Sequence, residues 1–506
     1  MYFYPFHYLI LILWKKAEKE ILAIFSSNET CFYCLTSIHF VAAMLASTLL
    51  AAFLCLFASC RTATAMPSDG GSGDGPLYLT PLIQAGRIDE ARAASKVKPL
   101  KAAIESYSGY LTVDKAHGSN MFFWFFPAMS GAKDAPVMLW LQGGPGASSL
   151  YAVFDEHGPF SVAKSHGLKL RNHTWVATHS MLYLDNPVGT GYSFTGDEAG
   201  YSANQTSVGL NAYDALVQFF TLFHEYQHND FYVTGESYAG KYVPAVSYAI
   251  HLNNPGAKVK INLKGLAIGN GLVDPINQLM YSEYLYQHGF VDDYGKQELD
   301  KLENLARAQI LNEDFKSAFG TFDKLLNGDV YPYPSLFQNL TGMRYYFNML
   351  WDRDPTPYGD WEKYVQEPFM REALHVGQQP FNNGTTVEHH LENDMMQSVA
   401  PWLAALLDAG QYRVLVYSGQ LDIIVPYRGT MNMVKSLKWS GSDRLQNATR
   451  TIWRVGHENA TFVAGYATTV DPLTVLLVRD AGHMVPADQP IWGLDMINRF
   501  TTGKPF

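Results

Sequence analysis

The sequence predicts an α/β fold: a central, mostly parallel sheet with helices on both faces and a largely helical cap inserted late in the chain. Three observations carry that expectation. Short, continuous apolar runs occur at 136–142, 180–185 and 263–269, the first stopped by Gly143-Gly144 and the last by Asn270-Gly271, as expected of strands buried on both faces. Helix-spaced segments lie between them, and strands separated by helices belong to a parallel sheet with covered faces. Between about residues 272 and 394 the strand signal gives way to charge, tyrosine and proline with helical stretches such as 292–319. With 506 residues, 47% hydrophobic and 17% charged, the chain can bury a large core.

The first 65 residues do not read as part of that core. One apolar run ends at Trp14 before Lys15 and Lys16; a second spans 40–59 and leads into Ala63-Thr64-Ala65. An apolar run followed by small residues is a secretory leader, with cleavage expected after Ala65. Met44 then reads as the true start, and residues 1–43 as a spurious extension. A retained anchor is the competing reading, because about 20 apolar residues span a bilayer. Residues 66–97 begin as a Gly/Ser/Pro-rich linker or propeptide-like segment. The core is expected in two parts, 98–271 and 395–506, around the cap at 272–394. All four cysteines (Cys31, Cys34, Cys55, Cys60) precede the cleavage point, so the mature chain has neither a disulfide framework nor a thiolate metal site. Sequons at Asn172, Asn204, Asn339, Asn383, Asn447 and Asn459 agree with secretory entry as glycosylation candidates. A net charge of -10 argues against nucleic acid as a partner.

Taken in order, residues 106–113 and 120–126 read as strands, then 136–142 with the Gly143-Gly144-Pro145-Gly146 loop behind it, then 180–185. Helical spacing follows over 207–226. Phe231-Tyr232-Val233 closes a buried strand that runs into Gly235-Glu236-Ser237-Tyr238-Ala239-Gly240 and a helix. After the cap come a helix at 395–409, a strand at 412–417, strands at 450–455, 462–467 and 473–478, and a last helix through Met496.

Gly235–Ala239 fits G-x-S-x-G in four of five positions. The pattern describes a serine on a sharp strand-to-helix turn, where small neighbours are needed because the backbone is crowded. A serine hydroxyl needs a base, itself oriented by a third group. In the α/β-hydrolase arrangement the acid and then the histidine follow the serine along the chain. Asp422 follows the strand at 412–417, at the carboxyl end where such sheets place their sites. Beyond it only His457 and His483 remain as bases. His457 sits in a polar turn beside a sequon, whereas His483 again follows a strand. Ser237, Asp422 and His483 are the expected triad, with Asp480 as an alternative acid. An oxyanion hole needs backbone N–H donors: Tyr238, after the serine, offers one, and the 143–146 loop a second.

Five stretches together resemble the serine carboxypeptidase family: Trp140-Leu-Gln-Gly-Gly-Pro-Gly-Ala-Ser-Ser149, Asp185-Asn-Pro-Val-Gly-Thr-Gly-Tyr-Ser193, Gly235-Glu-Ser-Tyr-Ala-Gly240, Ser418-Gly-Gln-Leu-Asp422 and Ala481-Gly-His-Met-Val-Pro486. The likeness covers about residues 98–506 and is strongest to the vitellogenic carboxypeptidase branch. It implies Ser237 as nucleophile with Asp422 and His483, and Gly144 and Tyr238 as oxyanion donors. It also implies that Gln142 and Glu236 bind the carboxylate of a peptide C-terminus, with Glu156 hydrogen-bonded behind Glu236. No metal or organic cofactor is implied. The family's usual asparagine is Gln142 here, and Ala147 stands where many members have a disulfide cysteine.

The expected activity is release of C-terminal residues from peptides through an acyl-enzyme. Two carboxylates share a site only if one keeps a proton, so the pairing of Glu236 with a substrate carboxylate predicts an acidic optimum. That suits a lysosome-like or yolk compartment, or secretion. An acyltransferase on the same scaffold and a non-catalytic yolk storage protein are the alternative readings; the triad residues argue against storage.

Overall fold

The computed structural model describes residues 75–98, 100, 104–163, 167–330, 334–355, 360–457 and 460–506. Its main sheet has ten strands. In chain order the strands are β1 (Tyr107–Asp114), β2 (Ser119–Phe126), β3 (Val137–Leu141), the small hairpin β4 (Phe160–Val162) and β5 (Leu168–Leu170), β6 (Ser180–Leu184), β7 (Phe231–Glu236), β8 (Leu263–Gly269), β9 (Arg413–Gly419), β10 (Arg450–His457), β11 (Ala460–Val470) and β12 (Leu473–Val478). The spatial order is β1-β2-β6-β3-β7-β8-β9-β12-β11-β10. The six strands from β6 to β12 pair in parallel. The hairpins β1–β2 and β10–β11 close the two sides with antiparallel pairings. The sheet is thus the mostly parallel one expected.

Side chains of β3 alternate between two cores. Val137, Leu139 and Leu141 face the core built on helices Gln205–Leu222 and Ala239–Asn253. Met138 and Trp140 face the opposite core, where helix Pro490–Thr502 supplies Met496, Ile497 and Phe500. Burial on both faces is why these strands read as unbroken apolar runs instead of alternating ones. The two helices on the first face approach closely: a Cβ at Gly209 would meet the Ala245 carbonyl at 2.7 Å.

Between β8 and β9 the regular elements among the described residues are all helical. Two expected helices are divided there. The 292–319 stretch becomes Asp293–Leu311 and Phe315–Phe322, because Glu313 takes a positive φ of 58° and Asp314 caps the second helix through the Ser317 N–H. The helix expected at 395–409 starts only at Ala400, with Pro401 in its first turn, where a missing N–H costs nothing. Met395 instead ends the preceding helix, Thr385–Met395.

From Leu77 onward the segment before the core lies on β1. The Leu79 N–H donates to Tyr110 (2.9 Å), the Tyr110 N–H donates to Leu77 (2.9 Å), and Leu79 and Ala91 are fully buried. The expected leader and all four cysteines lie outside the described residues. Among the described residues no helix is long and apolar enough to cross a membrane. Asn172, Asn204, Asn339, Asn383 and Asn447 are exposed, and Asn459 lies outside the described residues.

Candidate active site

Ser237 follows the last residue of β7 with a φ of +62°, a conformation that is costly for a residue with a side chain. Neighbouring backbone holds it there. Its N–H donates to Gly269 at the end of β8 (3.0 Å), and its carbonyl accepts from Gly240 (2.9 Å) and Leu272 (3.0 Å). The small residues around it are required by contact: a Cβ at Gly235 would meet the Leu141 carbonyl at 2.5 Å, and one at Gly240 the Leu272 nitrogen at 2.6 Å. Ser237 itself is half-buried, so its hydroxyl can be reached.

Asp422 and His483 follow β9 and β12, neighbours in the sheet, and both are buried. Asp422 Oδ1 accepts the N–H groups of Ile424 (2.9 Å) and Val425 (3.2 Å); Oδ2 accepts from Asn270 Nδ2 (2.7 Å) and lies 2.8 Å from His483 Nδ1. A carboxylate surrounded by donors accepts only, which places the proton on Nδ1 and leaves Nε2 as the basic nitrogen. Among the described residues Nε2 has no hydrogen-bond partner, so the structure joins His483 to Asp422 but not to the Ser237 hydroxyl. Such nucleophile–base contacts often tighten only when substrate arrives. Asp480, the alternative acid, is exposed and in a left-handed turn, and its carbonyl accepts from Gln489.

Sequence reasoning missed two supports of this pair. Asn270 has a φ of +43°, and besides holding Asp422 it accepts the Gly419 N–H (3.2 Å). Its signal was the Asn-Gly pair, legible as a strand stop but not as a contact. Phe347 comes from the helical insertion. Its ring stacks on His483 at 5.1 Å and its carbonyl accepts the His483 N–H at 2.6 Å. Tyr346 accepts from both Ile423 and Ile424, so this strap holds both loops. No local pattern marks it.

Gln142, Glu236 and Glu156 meet beside Ser237, on the side away from His483's strand. Trp140 Nε1 donates to Gln142 Oε1 (2.8 Å), which turns the amide so that Nε2 donates to Glu236 Oε1 (2.8 Å). Glu156, at the end of the helical turn Ala152–Glu156, is fully buried and Glu236 is 1% exposed. Burial pushes both carboxyl groups above the usual range; for Glu236 the nearby Glu156 adds to the rise. Among the described residues both oxygens of Glu156 and Oε2 of Glu236 are buried without a hydrogen-bond partner, and a proton kept on either acid lowers the cost of burying the two side by side.

The 143–146 loop passes directly over the serine. A Cβ at Gly143 would lie 2.5 Å from Ser237 Cβ and 2.7 Å from the Tyr238 nitrogen. Gly144 has a φ of +106°, a region that glycine alone enters freely. Tyr238 precedes helix Ala239–Asn253, where the first N–H groups lack helical partners and face anions favourably. Among the described residues no group of three His, Cys, Asp or Glu side chains could hold a metal ion.

The family model for serine carboxypeptidases matches residues 97–503. The venom serine carboxypeptidase of Apis mellifera is 54% identical over 434 residues, 85% of this chain and 92% of the relative. The probable serine carboxypeptidase CPVL of Homo sapiens is 46% identical over 451 residues, 89% of this chain and 94% of the relative. The vitellogenic carboxypeptidase of Aedes aegypti is 43% identical over 443 residues, 87% and 92%. Among solved structures, the prohormone-processing carboxypeptidase Kex1 of Saccharomyces cerevisiae superposes with a TM-score of 0.67 at 23% identity, covering 81% of this chain and 96% of that one, which shows a shared fold. The chain belongs to the serine carboxypeptidase family.

Proposed function

We propose that this serine carboxypeptidase releases C-terminal residues through Ser237, His483 and Asp422, working best at acidic pH. The observation that carries the reading is the buried set Gln142–Glu236–Glu156, contiguous with Ser237 in sequence through Glu236. It offers an amide donor and a protonated carboxyl, which together recognise a terminal carboxylate.

With a peptide seated so, the carbonyl carbon of its last peptide bond, on the penultimate residue, meets Ser237 Oγ. His483 Nε2 takes the hydroxyl proton as the C–O bond forms, and Asp422 steadies the imidazolium. The N–H groups of Gly144 and Tyr238 receive the charge on the tetrahedral oxygen. His483 then returns the proton to the departing amine, and water repeats the sequence on the acyl-enzyme. Substrates are peptide and protein C-termini. Secretory entry fits the leader and the venom and vitellogenic relatives, and a lysosome-like or yolk compartment, or secretion, suits an acid-active enzyme.

The test is residue release from a blocked dipeptide across acidic to neutral pH, using protein beginning near Met66. Release that fades towards neutrality and vanishes in Ser237→Ala is the expected result. Fluorophosphonate labelling of Ser237 without any release would overturn the peptide substrate.

A further inference from the structure

Beside Tyr238 the core holds an ion pair. Lys241, one turn along helix Ala239–Asn253, is fully buried, and Asp394, the penultimate residue of helix Thr385–Met395, is 3% exposed. Burying two charges is expensive, and such a pair stabilises a fold no better than apolar residues of similar volume. Its value lies in what it fixes. Asp394 Oδ2 accepts from Gln205 Nε2 (2.7 Å), the Tyr238 hydroxyl (2.9 Å) and Lys241 Nζ (3.0 Å), while Oδ1 accepts the Gln205 N–H (3.3 Å) at the start of helix Gln205–Leu222. Lys241 also donates to the carbonyls of Asp394 and Met395, where the end of a helix favours a cation.

The other end of the same helix reaches the opposite wall of the site. Its capping residue, Gly384, packs on Gly146, where a Cβ would meet Gly384 Cα at 2.7 Å and Val387 Cβ at 3.0 Å. Helix Thr385–Met395 therefore touches the 143–146 loop at its start and Tyr238 at its end, bracketing both backbone donors assigned to the oxyanion hole.

We propose that Asp394 is a positioning residue for the oxyanion hole: through the Tyr238 hydroxyl it fixes the residue whose N–H meets the developing charge, and through its helix it ties that donor to the 143–146 loop. The inference rests on the catalytic reading above. The Tyr238 side chain has no part in the chemistry; its hydroxyl is spent on Asp394 and Gln205. A donor displaced by a fraction of an ångström loses charge stabilisation in the transition state while leaving ground-state binding alone.

Three variants test this: Tyr238→Phe, which removes one hydroxyl and no charge; Asp394→Asn; and Asp394→Asn with Lys241→Met, which avoids a buried lone cation. The readouts are kcat and KM for release from the blocked dipeptide and the rate of Ser237 labelling by a fluorophosphonate, whose phosphoryl oxygen uses the same donors. The expected result is kcat lowered about 10- to 100-fold, labelling slowed by a similar factor, and KM held within about twofold. Unchanged kcat and labelling with a lower melting temperature would overturn it, as would a rise in KM alone. If Asp394→Asn does not fold, Tyr238→Phe and the double variant decide. Wild-type protein that labels but releases nothing overturns the peptidase reading instead, and the labelling rates still judge the positioning role.

Discussion

His483 Nδ1 lies 2.8 Å from Asp422 Oδ2, and the two side chains are sealed from solvent at 2% and 0% exposure. Three further donors converge on the same carboxylate, so its orientation is set before any substrate arrives. The imidazole can neither turn nor exchange its tautomer without breaking that bond.

Asp422→Asn therefore presents an amide where Nδ1–H needs an acceptor. The imidazole is pushed to the wrong tautomer, and kcat is expected to fall about 10⁴-fold with little change in KM. Steady-state kinetics on a blocked dipeptide check this; a loss under tenfold would remove Asp422 from the triad.

Burial and the neighbouring Glu156 raise the pKa of Glu236, and under the proposed function it is the neutral acid that meets a substrate carboxylate. KM is expected to climb as rising pH strips that proton. In Glu236→Gln the side chain stays neutral and KM becomes flat with pH. A substrate ending in an amide instead of a carboxylate shows no such rise even with the wild type.

Asp185 predicts a pH dependence of stability. Burial raises its carboxyl from 3.8 to about 7, against the opposing hydrogen bonds from Ser148, Tyr192 and Ser149. The folded state then holds a proton that the unfolded chain has released, so the contribution is complete below pH 3.8 and declines as pH rises to about 7. Glu156 and Glu236 act in the same sense. Denaturation midpoints should fall from pH 4 towards neutrality, and Asp185→Asn should flatten that slope; a midpoint rising over this interval would contradict the assignment.

Gly143→Ala places a methyl 2.5 Å from Ser237 Cβ and 2.9 Å from the Glu236 carbonyl, and the loop must move to admit it. The displaced donors should cost about 10²-fold or more in kcat. Circular dichroism checks that the sheet persists.

Asn270→Ala removes a hydrogen bond to a buried carboxylate and leaves a non-glycine residue without a helpful side chain at a φ of +43°. A loss of about 2–4 kcal/mol is expected in chemical denaturation. Asn270→Asp should be worse for activity, since it sets a second carboxylate against Asp422.

Strands β8 and β12 were legible to the residue, because apart from the partly exposed Lys264 and Thr474 each run is buried and without a charged or polar side chain, and its stops are Asn-Gly or charge. The helix at 395–409 was not: the apolar spacing continues across Met396–Val399, but the Val399 N–H is taken by Val273, a residue more than a hundred positions away. The division at Glu313 likewise lies in a backbone conformation that no periodicity reports.

The sequence by itself determined the turn that presents Ser237, the glycines that let the 143–146 loop approach it, and the order of acid and histidine behind parallel strands. Those are local facts, written in adjacent residues. Tertiary structure alone decided that Phe347 and Asn270 hold the Asp422–His483 pair, that burial raises the Glu156 and Glu236 carboxyl groups, and that Asp394 reaches Tyr238 from 156 residues away. The physical reason is that burial and convergence belong to the surroundings of a side chain, and those surroundings come from segments whose separation in sequence carries no trace of their distance in space.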